Sequence, residues 1–215
     1  ATLERSCSRL ESAKERDDDA LNYLINMTQA VAGISRDYLA LDDNGSTLSA
    51  GVLLRSLVEA YIRMTAVERK PGLVLRIAAS EHEEQRKWMK LLGEDQDDDY
   101  DESQRALEGS IERWHPDEEI DSRPIKTRDL AQKMDKEIPG LLKGYDAFFR
   151  LYCRYSHLNV SALSGQLEEF HGHRHRAALF TVLKSLEIHR RVGAPDNEIG
   201  AVLERAFSLL DRPVS

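Results

Sequence analysis

The sequence predicts an all-α fold, an antiparallel bundle of four or more helices carrying an acidic insert, and three observations support this. Apolar residues recur at three- and four-residue steps over long stretches. No strand-length run alternates with period two. Chain-breaking Asp-Asn-Gly, Pro-Gly and His-Pro sequences fall between the periodic stretches and not inside them.

The first periodic stretch runs from residue 2 to about 41, as one long helix or two collinear ones, with Leu21, Leu24, Ile25, Val31 and Tyr38 among its apolar positions. Asp42-Asp43-Asn44-Gly45 ends it. Ser46 or Thr47 is the expected cap of a second helix, which Pro71-Gly72 closes after Arg69. A third helix is expected from Leu73 to Leu92, ended by Gly93, with Leu75, Ala78, Ala79, Trp88, Met89 and Leu92 facing inward.

Glu94 to Glu102 holds seven acids in nine residues and reads as an exposed linker or a frayed helix start. A fourth helix follows from about Asp101 to Trp114, where His115-Pro116 stops it. Residues 116–126 look like a surface loop. A short helix is expected over Thr127 to Lys136, capped by Thr127, before the Pro139-Gly140 break. Later helices are expected over Leu141 to Leu158, Gly172 to Arg191, and Pro195 to Leu210. At 215 residues the chain is long enough for one core without disulfides or metals, so a single domain over 1–215 is expected, with 94–126 as an acidic, partly irregular insert within it.

Charge and cysteine content narrow the function classes. A net charge of −8 argues against a general nucleic-acid binder, but the average hides an asymmetry. Glu94 to Ser122 carries 13 acidic and 2 basic residues, whereas Gly140 to Gly193 carries 8 basic and 4 acidic. Cys7 and Cys153 are isolated and form no metal or redox spacing, which favours a cytoplasmic setting. Ala1 to Arg16 is charged and has no signal-like apolar run, and no apolar stretch is long enough to span a bilayer, so no membrane role is expected. No glycine-rich phosphate loop or nucleophile elbow occurs, and no cofactor is expected.

Three clusters carry chemistry. Arg55 and Glu59 lie four apart on one face of the second helix, and Arg63 continues that face. They read either as a structural or solvent pair, or as a cleft in which Glu59 holds a basic residue from the fifth helix. On that fifth helix Arg150, Arg154 and His157 fall within about 60° of one another. A histidine near neutral pKa can take the proton of a ribose 2′-hydroxyl, and an arginine can hold the phosphate with two donors. The same residues would also suit a solvated basic face whose histidine complements the helix dipole. Tyr155 and Ser156 read as packing, hydrogen-bonding or substrate-contacting groups. The third cluster, His171-Gly172-His173-Arg174-His175, lacks metal-site spacing. It reads as an exposed basic helix start where Arg174 could meet an anion. Trp88 and Trp114 are candidate aromatics for a bundle pocket.

Two stretches, Leu53-Leu54-Arg55-Ser56-Leu57-Val58-Glu59-Ala60-Tyr61 and Tyr152-Cys153-Arg154-Tyr155-Ser156-His157, resemble a bacterial group of helical proteins of unknown function, with its R-S-x-x-E helix and its tyrosine/serine/histidine helix. That group in turn resembles the HEPN superfamily. Arg150 and His157, with six intervening residues, match the longest form of the R-x4-6-H motif of active HEPN ribonucleases. Leu151 stands where active members usually carry a polar side chain, and Ser156 is adjacent to His157 where the group usually separates them.

The resemblance implies a HEPN-like homodimer and a metal-independent ribonuclease of toxin or phage-defence type. In it His157 is the general base and acid, Arg150 stabilises the phosphate, Glu59 and Arg154 support them, and Arg55, Tyr155, Ser156 and Arg174 contact RNA. The alternative is a non-catalytic helical module that binds a protein partner.

Overall fold

The computed structural model describes residues 18–92, 99–147 and 171–192. Helix α1 spans Asp19–Asp43, α2 Thr47–Arg69, α3 Leu73–Leu92, α4 Asp99–Trp114 and α5 Thr127–Met134. Residues 141–147 form α6, and His171–Val192 form α7. The result is an all-α antiparallel bundle, with no strand among the described residues.

α1 begins at Asp19 with Asp18 as its N-cap, and the part of the expected stretch before residue 18 lies outside the described residues. The Asp18 backbone is extended, and its carboxylate accepts hydrogen bonds from the amides of Ala20 and Leu21 at 3.1 and 3.2 Å. Asp18 also meets His115 Nε2 at 3.2 Å, and the Asp19 amide donates to Ser110 Oγ at 3.0 Å, so the start of α1 is tied to the end of α4. From there Leu21, Leu24, Ile25, Thr28, Val31 and Tyr38 keep one stripe buried.

α2 is the central helix and packs on α1, α3, α5 and α7. With neighbours on several sides it is apolar around more of its circumference than a surface helix would be, and Leu54, Leu57, Ile62, Met64, Ala66 and Val67 are all buried. Ser46 holds its N-cap position but makes no side-chain cap bond. α7 covers α2 through Ala178, Thr181, Leu183, Ser185, Leu186 and Ile188. Thr181 Oγ1 donates to the Leu57 carbonyl at 3.2 Å. Close to this seam, Lys184 Nζ lies 2.5 Å from Glu68 Oε2, and both side chains are about nine-tenths buried.

Residues 116–126 form the expected surface loop, and together with His115 they lie along α3 as a strap. The Ser80 hydroxyl accepts from the Ile125 amide at 2.6 Å and donates to the Ile125 carbonyl at 2.8 Å. Arg76 Nε donates to the Arg123 carbonyl at 2.9 Å, and its Nη1 lies 3.3 Å from Asp121 Oδ2. A Cβ at Gly72 would sit 3.0 Å from the Glu119 carbonyl oxygen, so the strap approaches α3 closely only because residue 72 has no side chain. Ile125, near the end of the strap, is buried. The sequence concealed this because every one of these contacts spans more than 40 residues.

Other expectations are corrected in detail. α4 begins at Asp99, two residues before its expected start. α5 ends at Met134, with Lys126 and not Thr127 in the N-cap position. Trp88 and Leu92, expected to face inward, are exposed, because nothing among the described residues packs over the end of α3. The helix expected over Leu141 to Leu158 is described as far as residue 147, and its remainder, the helix expected over Pro195 to Leu210 and the segment before residue 18 lie outside the described residues.

Candidate functional site

A groove of about 840 Å³ runs between α2, α3, the end of the strap and the start of α5. Helical spacing supplies one wall: Arg55, Glu59 and Arg63 stand on successive turns of α2. α3 supplies Ser80, Glu81, Glu83, Glu84 and Lys87, the end of the strap supplies Lys126, and the first turn of α5 supplies Thr127 and Arg128. Tyr145, on α6, closes one side.

The charges in this groove are organised into pairs. Arg55 Nε donates to Glu59 Oε1 at 3.1 Å, with roughly 30 % of each side chain exposed. Arg63 Nη1 donates to Glu81 Oε1. Lys87 bridges Glu83 and Glu84 at 3.3 and 2.8 Å. Arg128 grips Asp146 through Nε and Nη2 at 3.0 and 3.2 Å, which fastens α5 to α6.

The Tyr23 phenol on α1 senses the Arg63–Glu81 pair. Burial pushes its pKa up to about 12, Arg63 opposes the rise, and Glu81 adds to it. Tyr23 is therefore neutral at every physiological pH. The groove is lined by guanidinium and ammonium groups, of which Arg55, Arg63, Lys87 and Arg128 are each paired with a carboxylate that orients them.

A second, smaller cavity of about 300 Å³, which Tyr145 also lines, lies between α2, the 138–141 turn and α7. Its lining is apolar, with Val58, Ile62, Leu141 and Phe180 facing two tyrosines, Tyr61 and Tyr145. The turn depends on Gly140, whose φ of +89° a side chain would strain. α6 is started by Asp135, whose carboxylate accepts from the Leu142 amide at 2.9 Å.

The expected site residues divide accordingly. Arg55 and Glu59 are brought together in the groove, with Arg63 beside them. Arg150, Arg154, Tyr155, Ser156 and His157 lie outside the described residues, as does the side chain of Arg174, whose backbone is in the first turn of α7. Trp88 and Trp114 line neither cavity and are both exposed. Lys126, Arg128 and Tyr145 were missed. Lys126 and Arg128 read as ordinary loop and helix charges until the fold brings the end of the strap and the start of α5 to the groove that α2 lines. Among the described residues no three His, Cys, Asp or Glu side chains gather as a metal site. No described helix is long and apolar enough to cross a membrane.

A family model described as a family of unknown function, DUF5677, matches residues 21–174. That span takes in α1 to α6 and the start of α7, and so every residue lining the groove. No curated protein matches the chain, and no solved structure does.

Proposed function

The chain belongs to the DUF5677 family, and on that premise we propose that it is a HEPN-like, metal-independent ribonuclease of toxin or phage-defence type. It acts in the cytoplasm as a homodimer. His157 takes the proton of a ribose 2′-hydroxyl, and O2′ attacks the adjacent phosphorus. The P–O5′ bond breaks, and the imidazolium returns its proton to O5′. The products are a 2′,3′-cyclic phosphate and a 5′-hydroxyl, with no external reactant consumed. Arg150 holds the non-bridging oxygens as charge builds on them. Glu59 and Arg154 orient these two groups, and Arg55, Tyr155, Ser156 and Arg174 contact the RNA. DNA lacks the 2′-hydroxyl and is not cut.

The observation supporting this reading is the groove itself. It is lined by Arg55, Glu59, Lys126 and Arg128, and its wall includes Tyr145, five residues before Arg150 in the chain. The test is RNA cleavage in EDTA by the full chain beside Arg150→Ala and His157→Ala, with folding checked by circular dichroism. Loss of cleavage in both variants is the expected result. An inactive parent chain, on single-stranded and structured RNA alike, overturns the reading. A non-catalytic, protein-binding role is the second reading, and the exposed apolar end of α3 favours it.

A further inference from the structure

The small cavity beside α6 is bounded by two matching helix faces. Val58, Tyr61 and Ile62 on α2, and Leu141, Gly144 and Tyr145 on α6, share i, i+3, i+4 spacing, so each helix turns one face towards it. α7 adds Phe180, which lines the cavity yet is 48 % exposed and so stands at its mouth. A buried apolar cavity of about 150 Å³ is enough to hold one benzene ring. The 300 Å³ present here therefore has room for a bicyclic molecule.

Gly144 is what keeps this space open. Glycine inside a helix is less stable than alanine, and it is well used where another backbone approaches closely. Gly72 is such a case, with the Glu119 carbonyl oxygen 3.0 Å from where its Cβ would stand. Gly144 is not, because among the described residues a Cβ there would meet no atom within 4 Å. The room that a side chain would fill is left to the cavity.

The lining also sets the charge of an occupant. None of the described residues that line the cavity carries a formal charge, since Tyr61 and Tyr145 are its most polar members together with Thr181. Burial, with the Glu187 and Glu68 carboxylates adding to it, pushes the Tyr61 pKa up, so this phenol stays neutral. The Thr181 hydroxyl already donates to the Leu57 carbonyl. A charged ligand would lose its hydration here and gain no counter-charge. Water in such a site is poorly held, and an apolar group that displaces it gains affinity. Three aromatic rings, those of Tyr61, Tyr145 and Phe180, can each meet another ring edge-to-face or offset.

We propose that this cavity is a binding site for a small, uncharged, bicyclic aromatic molecule of about ten non-hydrogen atoms, held between α2, α6 and α7. Its bulk occupies the space beside Gly144, and Phe180 covers it at the mouth. The proposal does not depend on the ribonuclease reading and goes beyond it.

The test titrates the full chain with indole by isothermal calorimetry, beside indole-3-acetate, which has the same rings and a carboxylate. The expected result is indole binding tighter than about 1 mM, with indole-3-acetate at least about tenfold weaker. Gly144→Leu should abolish indole binding while its Tm is no lower than that of the parent, because the new side chain fills the cavity and improves the helix. Phe180 is half exposed, so Phe180→Ala should fold normally, and it should weaken indole binding roughly fivefold. Three results overturn the proposal: no heat with indole, equal binding of the charged analogue, or indole binding unchanged in both variants. A parent that binds no indole and a Gly144→Leu chain of lowered Tm assign the cavity to a segment of the chain itself, which overturns the proposal as well.

Discussion

Two of the ion pairs on α2 each join a glutamate to a basic side chain but in different surroundings. Near its end Glu68 meets Lys184 of α7, and both side chains are about nine-tenths buried. Two and a half turns earlier Arg55 meets Glu59 within the helix, and nearly a third of each side chain remains in contact with water. The first pair joins two helices whose residues are 116 positions apart, so its geometry exists only once the bundle has formed. The second pair needs nothing but the helix. A buried pair is costly to break because the surviving charge has lost its water, whereas a half-exposed pair is worth little to stability and can exchange partners. The buried pair therefore specifies how α7 docks, and the half-exposed pair is available to a ligand.

Breaking the buried pair gives the largest expected effect. Lys184→Met should cost about 3–5 kcal/mol, read by urea unfolding, because Glu68 is left charged and buried. Adding Glu68→Met should recover most of the loss, since an apolar replacement of both partners removes the desolvation cost. If the double variant is no more stable than the single one, the seam is held by shape and not by charge. Leu57→Ala, on the inner face of α2, should cost about 2–5 kcal/mol through the cavity it leaves. Thr181→Val removes the bond to the Leu57 carbonyl and should cost about 1 kcal/mol.

The half-exposed pair should behave in the opposite way. Glu59→Gln should change stability by less than about 1 kcal/mol, yet lower RNA cleavage by roughly tenfold or more if Glu59 orients the catalytic groups. A variant that loses stability but retains cleavage would reverse the roles of the two pairs.

A third carboxylate lies between these extremes. Asp121, on the strap, is held well below its ordinary 3.8 by hydrogen bonds from the Arg123 side chain and amide, with Arg76 adding to them. Its pKa is lower in the folded chain than in the unfolded one. Its contribution is therefore complete above about pH 3.8 and is lost as pH falls towards the folded value. Thermal melts below pH 3.8 should show a drop in Tm that is shallower in Asp121→Asn.

What the sequence made legible follows the same division between local and long-range contacts. α2 and α3 could be bounded from Pro71-Gly72 alone, and the Arg55–Glu59 pair from four-residue spacing, because both are local facts. Glu68–Lys184, the Ser80 contacts to Ile125 and the Arg76–Asp121 bridge were not legible, because each joins residues far apart in the chain. Trp88 and Leu92 show a related limit. Periodicity identified their face correctly, but it cannot tell whether a neighbour lies against that face or only water. The groove was half legible for the same reason, with its α2 wall readable and its strap wall not.

Tyr145 stands in the walls of both cavities, the charged groove and the apolar one. One aromatic residue is thus shared by two compartments of opposite polarity. It is held at the base of α6 by the Asp135 cap behind it and the Arg128–Asp146 clamp next to it. Because the same side chain lines both, a substitution at Tyr145 alters two compartments at once, and neither can be reshaped through this residue without touching the other.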